Sequence, residues 1–549
     1  MDGYRKSKDV SVMQPLEVLE PSQSVSNAQV IDLQEDRNGQ FHRSFTPRQV
    51  HIIALGSNIG SGVFIGTGKA LASGGPGSMV IAYALVCSGV WAVLQTLSEM
   101  TIAFPTSGNY IDYAGRWVDP ALAFGAGFAE WLGWVAIVGS EATFFTVLVD
   151  YWAEGSFPAA AGYTIFIVAS LSVFLLPNKW FARYEYITSI VKIFTFLIII
   201  LVSLAIVCGA GPQGYVHRGV SWSELPAFKN GFGGFATCAL LAMWAVGDQV
   251  FIGIIGGEAQ SPRFSMAHAT KLVPFRVNVV YMLSVIFVTL LVRSDDDHLL
   301  GGSGIAASPF IIAVRDVGIP GIGHVLNSGM IVGILAISAE SIYLCSRVLR
   351  TMAHQKLIPE AWAKVDSAGR PRWALLISTI VGVALTYIQL SAGGLKVFSW
   401  LLSITSASFF MMWMIIAITN WRFRQALRAQ DDKLFREVYA WSAWKWPLPP
   451  WYLLTISTLL LACCLATSID PLGDTPFSAY AFFQNNLGVL LIVASTLGYK
   501  VIRRTRWVDP KEADLIQGRR TLSTEEIVQL DNYYRMSTWR RFCTYAQLW

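Results

Sequence analysis

The sequence predicts an all-α polytopic membrane protein of about twelve transmembrane helices, and three observations predict it. Only 14% of its 549 residues are charged while 54% are hydrophobic, against about 25% charged in a soluble domain. The apolar residues are gathered into blocks long enough to cross a hydrocarbon core of ~30 Å at ~1.5 Å per residue. Residues 187–208 (ITSIVKIFTFLIIILVSLAIVC) hold a single ionisable side chain, Lys192. Finally, glycine clusters interrupt the first and the sixth of these blocks. A soluble enzyme, a disordered chain and a disulfide scaffold are excluded.

In chain order, residues 1–49 form a polar tail with no apolar signal-peptide core, so no cleaved leader is expected. Twelve spans follow at roughly 50–71, 77–104, 120–149, 162–176, 186–208, 231–257, 272–292, 324–350, 374–390, 394–419, 448–468 and 478–500. Residues 501–549 make a second polar tail, which reads, like the first, as mobile or regulatory. The plan is therefore a membrane domain over 50–500 between two tails. With both tails on one side, that side collects 33 of the 41 Lys and Arg, which places both termini in the cytoplasm and requires an even number of spans. Cys87, Cys238, Cys345, Cys463 and Cys464 lie inside spans and read as packing thiols, neither bridges nor metal ligands. No basic stripe suggests nucleic acid, and no cofactor or metal is expected.

Span one reads HIIALGSNIGSGVFIGTGKA, with Gly56, Gly60, Gly62, Gly66 and Gly68 where a continuous helix should run. Each glycine costs about 1 kcal/mol of helix propensity relative to alanine. The cluster serves either close helix packing through small residues or an unwound segment whose N–H groups bind an anion. In lipid, such a break survives only where it lines a polar cavity. Span six, GFGGFATCALLAMWAVGDQVFIGIIGGEA, repeats the pattern with Gly247, Gly253, Gly256 and Gly257, and carries Asp248 and Gln249 at mid-depth. Two interrupted spans, five apart, are the signature of a five-plus-five inverted repeat with a midplane site between the halves, here followed by two C-terminal helices.

Ionisable residues at membrane depth cost about 2.5–3.5 kcal/mol each, so each needs a reason. They are Glu130 and Glu141 in span three, Lys192 in span five, Asp248 in span six and Glu340 in span eight. Glu130 and Glu141 stand about 1100° apart around the helix, hence on one face, with Trp134 between. Each buried charge is either half of a satisfied packing pair or part of a site. The histidines supply no base at mid-depth to accompany a nucleophile, so no enzyme active site is expected.

Several segments, taken together, closely resemble fungal amino-acid permeases of the amino acid–polyamine–organocation superfamily, the yeast amino acid transporter family. These are HIIALGSNIGSGVFIGTGKALASGGP, SEMTIAFPTSGNYIDYAGRWVDPALAFGAGF, GGEAQSPRFSMAHATK, SRVLRTMAHQKLIPEAWAKVDSAGRP, ITNWRFRQALRAQ and RRTRWVDPKEADLIQGRR, spread over residues 45–520. The resemblance implies a plasma-membrane permease importing amino acids by proton symport and alternating access, with the amino acid, protons and the lipid bilayer as its partners. It assigns Ser57, Asn58, Ile59, Gly60, Ser61 and Gly62 to an unwound stretch cradling the substrate carboxylate. It assigns Trp244, Ala245, Gly247 and Asp248, within 244–250, to an unwound stretch whose carbonyls take the α-amino group and whose Trp244 gates the site. Glu141 matches a family carboxylate, and Lys192 a family lysine that stands where sodium-coupled relatives bind sodium.

Two departures from the family fall near this site. Asp248-Gln249-Val250 replaces the usual Gly-Thr-Glu, and Ser338-Ala339-Glu340-Ser341 replaces Gly-Asn-Ser-Ser. Glu141, Lys192, Asp248 and Glu340 are thus the candidates for proton coupling. Glu340 is expected to pair with Lys192, or alternatively to face the cavity, where with Asp248 it would favour a cationic or polar side chain. A non-transporting amino-acid sensor of the same fold stands as the alternative function. Substrate identity and oligomeric state are not readable from the sequence.

Overall fold

The computed structural model describes residues 56–547 except 58, 107, 177, 213, 215–218, 250–261, 300–306, 367–369, 392–393, 470 and 472–478. The chain divides into units 1–40 and 41–549, and all the described residues belong to the second. The N-terminal tail therefore lies outside the description, as does the second half of span six with Val250, Gly253, Gly256 and Gly257.

The described residues form helices and connections, with no strand among them. The first helix, α1 (Gly62–Ala103), opens with a π-helical turn, Gly62–Gly66, and holds spans one and two as limbs of a single bent element. Its bend is at Gly75, whose φ of 74° favours glycine, followed by Pro76. A short helix, α2 (Asn109–Trp117), leads into α3 (Pro120–Ala153). The start of α3 is set locally: Asp119 accepts the Ala121 N–H at 2.8 Å and Pro120 takes the first helical position. Then come α4 (Ala159–Leu175), α5 (Asn178–Val207), α6 (Gly231–Val246) and α7 (Pro262–Leu291). The second half contains α8 (Pro309–Val317), α9 (Ile322–His354), α10 (Arg372–Leu390) and α11 (Gly394–Ala429). Two further long helices, α12 (Leu448–Ile469) and α13 (Ala479–Arg503), precede the tail helices α14 (Thr524–Arg535) and α15 (Thr538–Gln547).

Nine of these helices are long and apolar enough to cross a membrane, and α4 and α6 are shorter apolar helices. With the two limbs of α1 counted separately, the expected twelve spans are all represented. Helix α5 shows why the solvent is lipid. Ile187, Phe194, Leu197, Leu201 and Leu204 are exposed along one stripe, while Glu185, Ser189 and Lys192 are buried on the opposite face. Polar residues inside and large apolar ones outside invert the pattern of a water-soluble helix.

The packing falls into two groups. Helix α1 packs against α6 and α7, so spans one, two, six and seven lie together, while α3 packs against α9 and α11 and α9 against α5. In the C-terminal tail, expected to be mobile or regulatory, residues 508–520 are folded back onto the helix ends. Val508 N–H bonds Val118 O at 2.9 Å, Trp117 Nε1–H bonds Asp514 O at 2.9 Å, and Gln430 Nε2 donates to Ala513 O at 2.7 Å. Ala513 and Leu515 are buried there. The physical reason is that the ends of α2 and α11 present a carbonyl, Val118 O, side-chain donors on Trp117 and Gln430, and an apolar surface, which the tail backbone and Leu515 cover.

Candidate functional site

Two helix interruptions face each other at the centre of the molecule. On the α1 side, Ser57, Ile59 and Gly60 are outside helix, and winding resumes at Ser61 with the π-turn from Gly62. The unwound stretch is therefore shorter than expected: Gly62 and Ser61 belong to the first helical turn, because Val63 and Phe64 N–H already bond Gly60 O at 3.0 and 2.9 Å. On the α6 side, the helix stops at Val246 and residues 247–249 are non-helical.

Glycine is required where the two breaks touch. A Cβ on Gly62 would stand 2.7 Å from Cβ of Ala245, and one on Gly66 would stand 2.8 Å from the Trp244 ring. A Cβ on Gly60 would fall 1.8 Å from Cδ1 of Ile337 on α9. Close packing and interruption, the two readings of the glycine cluster, both hold, at different glycines.

Between the breaks lies a small cavity of about 40 Å³, lined by Ser57, Gly60, Ser61, Gly62, Trp134, Ile137, Glu141, Trp244, Ala245, Asp248, Tyr281, Ile337 and Phe409. Seven of the ten positions expected at a substrate site are in this lining. Ile59 is instead packed in the core, Gly247 is packed against Met243 and Phe409, and Asn58 lies outside the described residues. Trp244 presents an indole Nε1 with no hydrogen-bond partner among the described residues, its ring tilted against Phe144.

The carbonyls at the α6 break are not bare. Tyr281 OH donates to Ala245 O, Gln249 Nε2 donates to Val246 O at 2.9 Å, and Trp413 Nε1 donates to Gly247 O at 3.0 Å. Each carbonyl oxygen has a second lone pair, so these bonds do not bar the α-amino group from them. A buried carbonyl left without a donor is costly, and side chains from α7 and α11 already supply donors. The open acceptors in the lining are the carboxylates: among the described residues, Glu141 Oε1 accepts from Ser61 Oγ while Oε2 has no partner, and the Asp248 carboxylate makes no ion pair within 4.0 Å.

A second group of charges sits behind the lining. Lys192 is fully buried, its stem packed near Gly333 of α9, and its Nζ has no hydrogen-bond partner among the described residues. The expected Lys192–Glu340 ion pair is not formed: no ammonium-nitrogen to carboxylate-oxygen distance between them falls within 4.0 Å. Lys192 is instead within electrostatic reach of three buried carboxylates, Glu141, Glu185 and Glu340. The helix faces explain this: Glu185 is two turns before Lys192 on the same side of α5, so the ammonium is shared between α3, α5 and α9. Glu340, like Lys192, is outside the cavity lining. Glu130 also remains outside it, held near Tyr110 and Trp134.

Sequence reasoning missed Glu185, which falls one residue before the predicted start of span five and would have been found by extending the span by a turn. It also missed Tyr281, Trp413, Ile337 and Phe409. Nothing local distinguishes these from the many other apolar and aromatic residues of the chain.

Residues 49–511 match the family described as amino acid permease. Among relatives, "Amino-acid permease GAP5" of Candida albicans is 31% identical over 488 residues, covering 88% of this chain and 78% of that one. "S-adenosylmethionine permease GAP4" of the same organism is 31% identical over 494 residues, 89% and 80% of the two chains. "General amino-acid permease GAP1" of Saccharomyces cerevisiae is 28% identical over 496 residues, 88% and 81%. Among solved structures, the manganese transporter of Eremococcus coleocola aligns with 83% of this chain and 94% of its own, with a TM-score of 0.51 and 15% identity, a likeness of fold alone.

Proposed function

Because the chain belongs to the amino acid permease family, and is thus a multi-pass membrane transporter, we propose that it imports an amino acid across the plasma membrane by proton symport, with both termini in the cytoplasm. The observation that carries this reading is the cavity between the two broken helices. Helix α1 begins at its wall, so Gly60, Ser61 and Gly62 offer backbone N–H groups and the positive end of a helix dipole to a carboxylate. The free indole N–H of Trp244 is a further donor for that group, and its ring is placed to close the site from one side. Asp248 and Glu141 are the acceptors for an ammonium.

Proton movement is assigned to the buried set of Lys192, Glu141, Glu185 and Glu340, with Asp248 facing it across the lining. One ammonium cannot balance three carboxylates out of water, and burying uncompensated charge costs several kcal/mol. Protons taken up and given back by this set balance it in turn, and Glu141 joins the set to the cavity wall through Ser61. A set that touches the cavity at one residue couples proton occupancy to the state of the two breaks.

Uptake of radiolabelled amino acids in a host lacking its own permeases tests this. Accumulation against a gradient that collapses with a protonophore is expected. Accumulation unaffected by the protonophore would remove the proton from the mechanism. Amino-acid binding without uptake, read as ligand-dependent thermal stabilisation of the purified protein, would favour the sensor.

A further inference from the structure

The cavity is charged on one side of the ledger only. Glu141 and Asp248 stand in its lining, and among the described residues no lysine, arginine or histidine does. Lys192 lies behind Glu141 and is shared with two more carboxylates. The groups whose charge bears on Asp248 are Glu340 and Glu130, both acidic. Lys69, further along α1, lies over the Phe398 ring at 5.4 Å and does not enter the lining.

A neutral amino acid brings one negative and one positive group on the same carbon. With its carboxylate at the start of α1, its α-ammonium stays at that end, beside Glu141, which Ser61 ties to the first turn of α1. Asp248 belongs to the other break and is left without a cation. Trp134, Trp244 and Phe409 wall the same space, and aromatic faces attract cations. Glu141 adds a buried carboxylate oxygen, Oε2, that no described residue contacts by hydrogen bond.

Resting on the reading of the cavity as an amino-acid site, we infer that the preferred substrate carries a second positive charge, on its side chain, and that Asp248 receives it. The substrate class is amino acids with an ammonium or guanidinium side chain.

The test uses the full chain purified into proteoliposomes under an imposed proton gradient, with arginine, ornithine, leucine, aspartate and spermidine as competitors of labelled arginine uptake. Arginine and ornithine should compete at concentrations at least about ten-fold lower than leucine, and aspartate should not compete. Asp248→Asn should lower the arginine-over-leucine ratio by at least about ten-fold, and Asp248→Glu should retain most of it. Leucine or aspartate competing as well as arginine in the wild type would overturn the charge preference while leaving the amino-acid site standing. Spermidine competing better than every amino acid would overturn the amino-acid reading instead, because it has no carboxylate for α1. If Asp248→Asn fails to fold, the wild-type competition order still decides the matter.

Discussion

Ser61 and Glu141, 80 residues apart in sequence, are joined by a hydrogen bond from the Ser61 hydroxyl to Oε1 of Glu141. This bond fastens the first turn of the broken helix α1 to the middle of α3, and both of its members line the cavity. Any motion of the α1 break relative to α3 must stretch or break it. Removing the hydroxyl leaves a buried acceptor without its donor, which costs about 1–3 kcal/mol. Ser61→Ala should therefore lower the thermal midpoint of the purified protein and reduce uptake per molecule at the surface, and Ser61→Thr should restore both. A wild-type melt for Ser61→Ala would show that the bond contributes nothing.

The glycines of the break divide by what they face. A Cβ at Gly60 meets only the far end of Ile337, a side-chain tip that can turn aside, whereas a Cβ at Gly62 meets Cβ and Cα of Ala245 at 2.7 and 3.0 Å. Gly62→Ala should thus be the more damaging substitution, by roughly 1–3 kcal/mol of overpacking. Gly60→Ala should be milder and should recover when Ile337→Val removes the Cδ1 that it meets. Equal damage at both positions, unrelieved by Ile337→Val, would refute the steric account.

Lys192 serves three carboxylates, so its loss should not be repaired by neutralising one of them. Lys192→Met is expected to destabilise by about 3–5 kcal/mol, the cost of stranding buried charge. Adding Glu340→Gln should recover part of this loss, and adding Glu185→Gln as well should recover more. Thermal melts of the single, double and triple variants distinguish this from a dedicated pair, in which Glu340→Gln alone would restore the wild-type midpoint.

In the C-terminal tail, burial should matter more than its ion pairs. Arg519 contacts Asp432 at 2.7 Å and Glu437 at 2.5 Å on a partly exposed surface, and such pairs are worth about 0–1 kcal/mol. Leu515 is only 2% exposed. Leu515→Asp should lower the melting midpoint by several degrees, and truncation after residue 507 at least as much, while Arg519→Ala should leave it nearly unchanged. The reverse order would mean that charge holds the tail in place.

Asp366, in the connection between α9 and α10, gives a pH signature. Burial by itself raises its pKa, but the backbone N–H of Arg370 and the guanidinium groups of Arg372 and Arg370 outweigh it and hold the carboxyl at about 2. The folded value lies below the unfolded value of about 3.9, so the stabilisation is full above that pH and is lost as pH falls toward 2. The melting difference between wild type and Asp366→Asn should be constant from about pH 8 to about pH 5 and should narrow below about pH 4. A difference that widens on acidification would contradict the assignment.

The sequence by itself determined the solvent and the places where the helices fail. Both are local matters. A run of twenty apolar residues has no other stable solvent than lipid, and glycines at 56–68 and at 247 weaken a helix wherever the chain goes. For the same reason an interruption of span one and of span six, with a site between them, was legible before any fold was known; Trp244 and Asp248 were assigned to that site only through the family resemblance, and Glu141 was expected to couple protons rather than to line the cavity.

Only the tertiary structure decided how charges and donors are shared. That Tyr281 and Trp413 reach Ala245 O and Gly247 O across 36 and 166 residues depends on which faces of α7 and α11 meet α6. That Lys192 answers to Glu141, Glu185 and Glu340 rather than to Glu340 alone depends on the rotation of α3 and α9 about their own axes. That residues 508–520 fold back onto the helix ends depends on the surface those ends present together. Local propensity fixes where a helix runs, but its rotation is set by packing against neighbours that the sequence does not identify, and every contact of the charged set follows from that rotation.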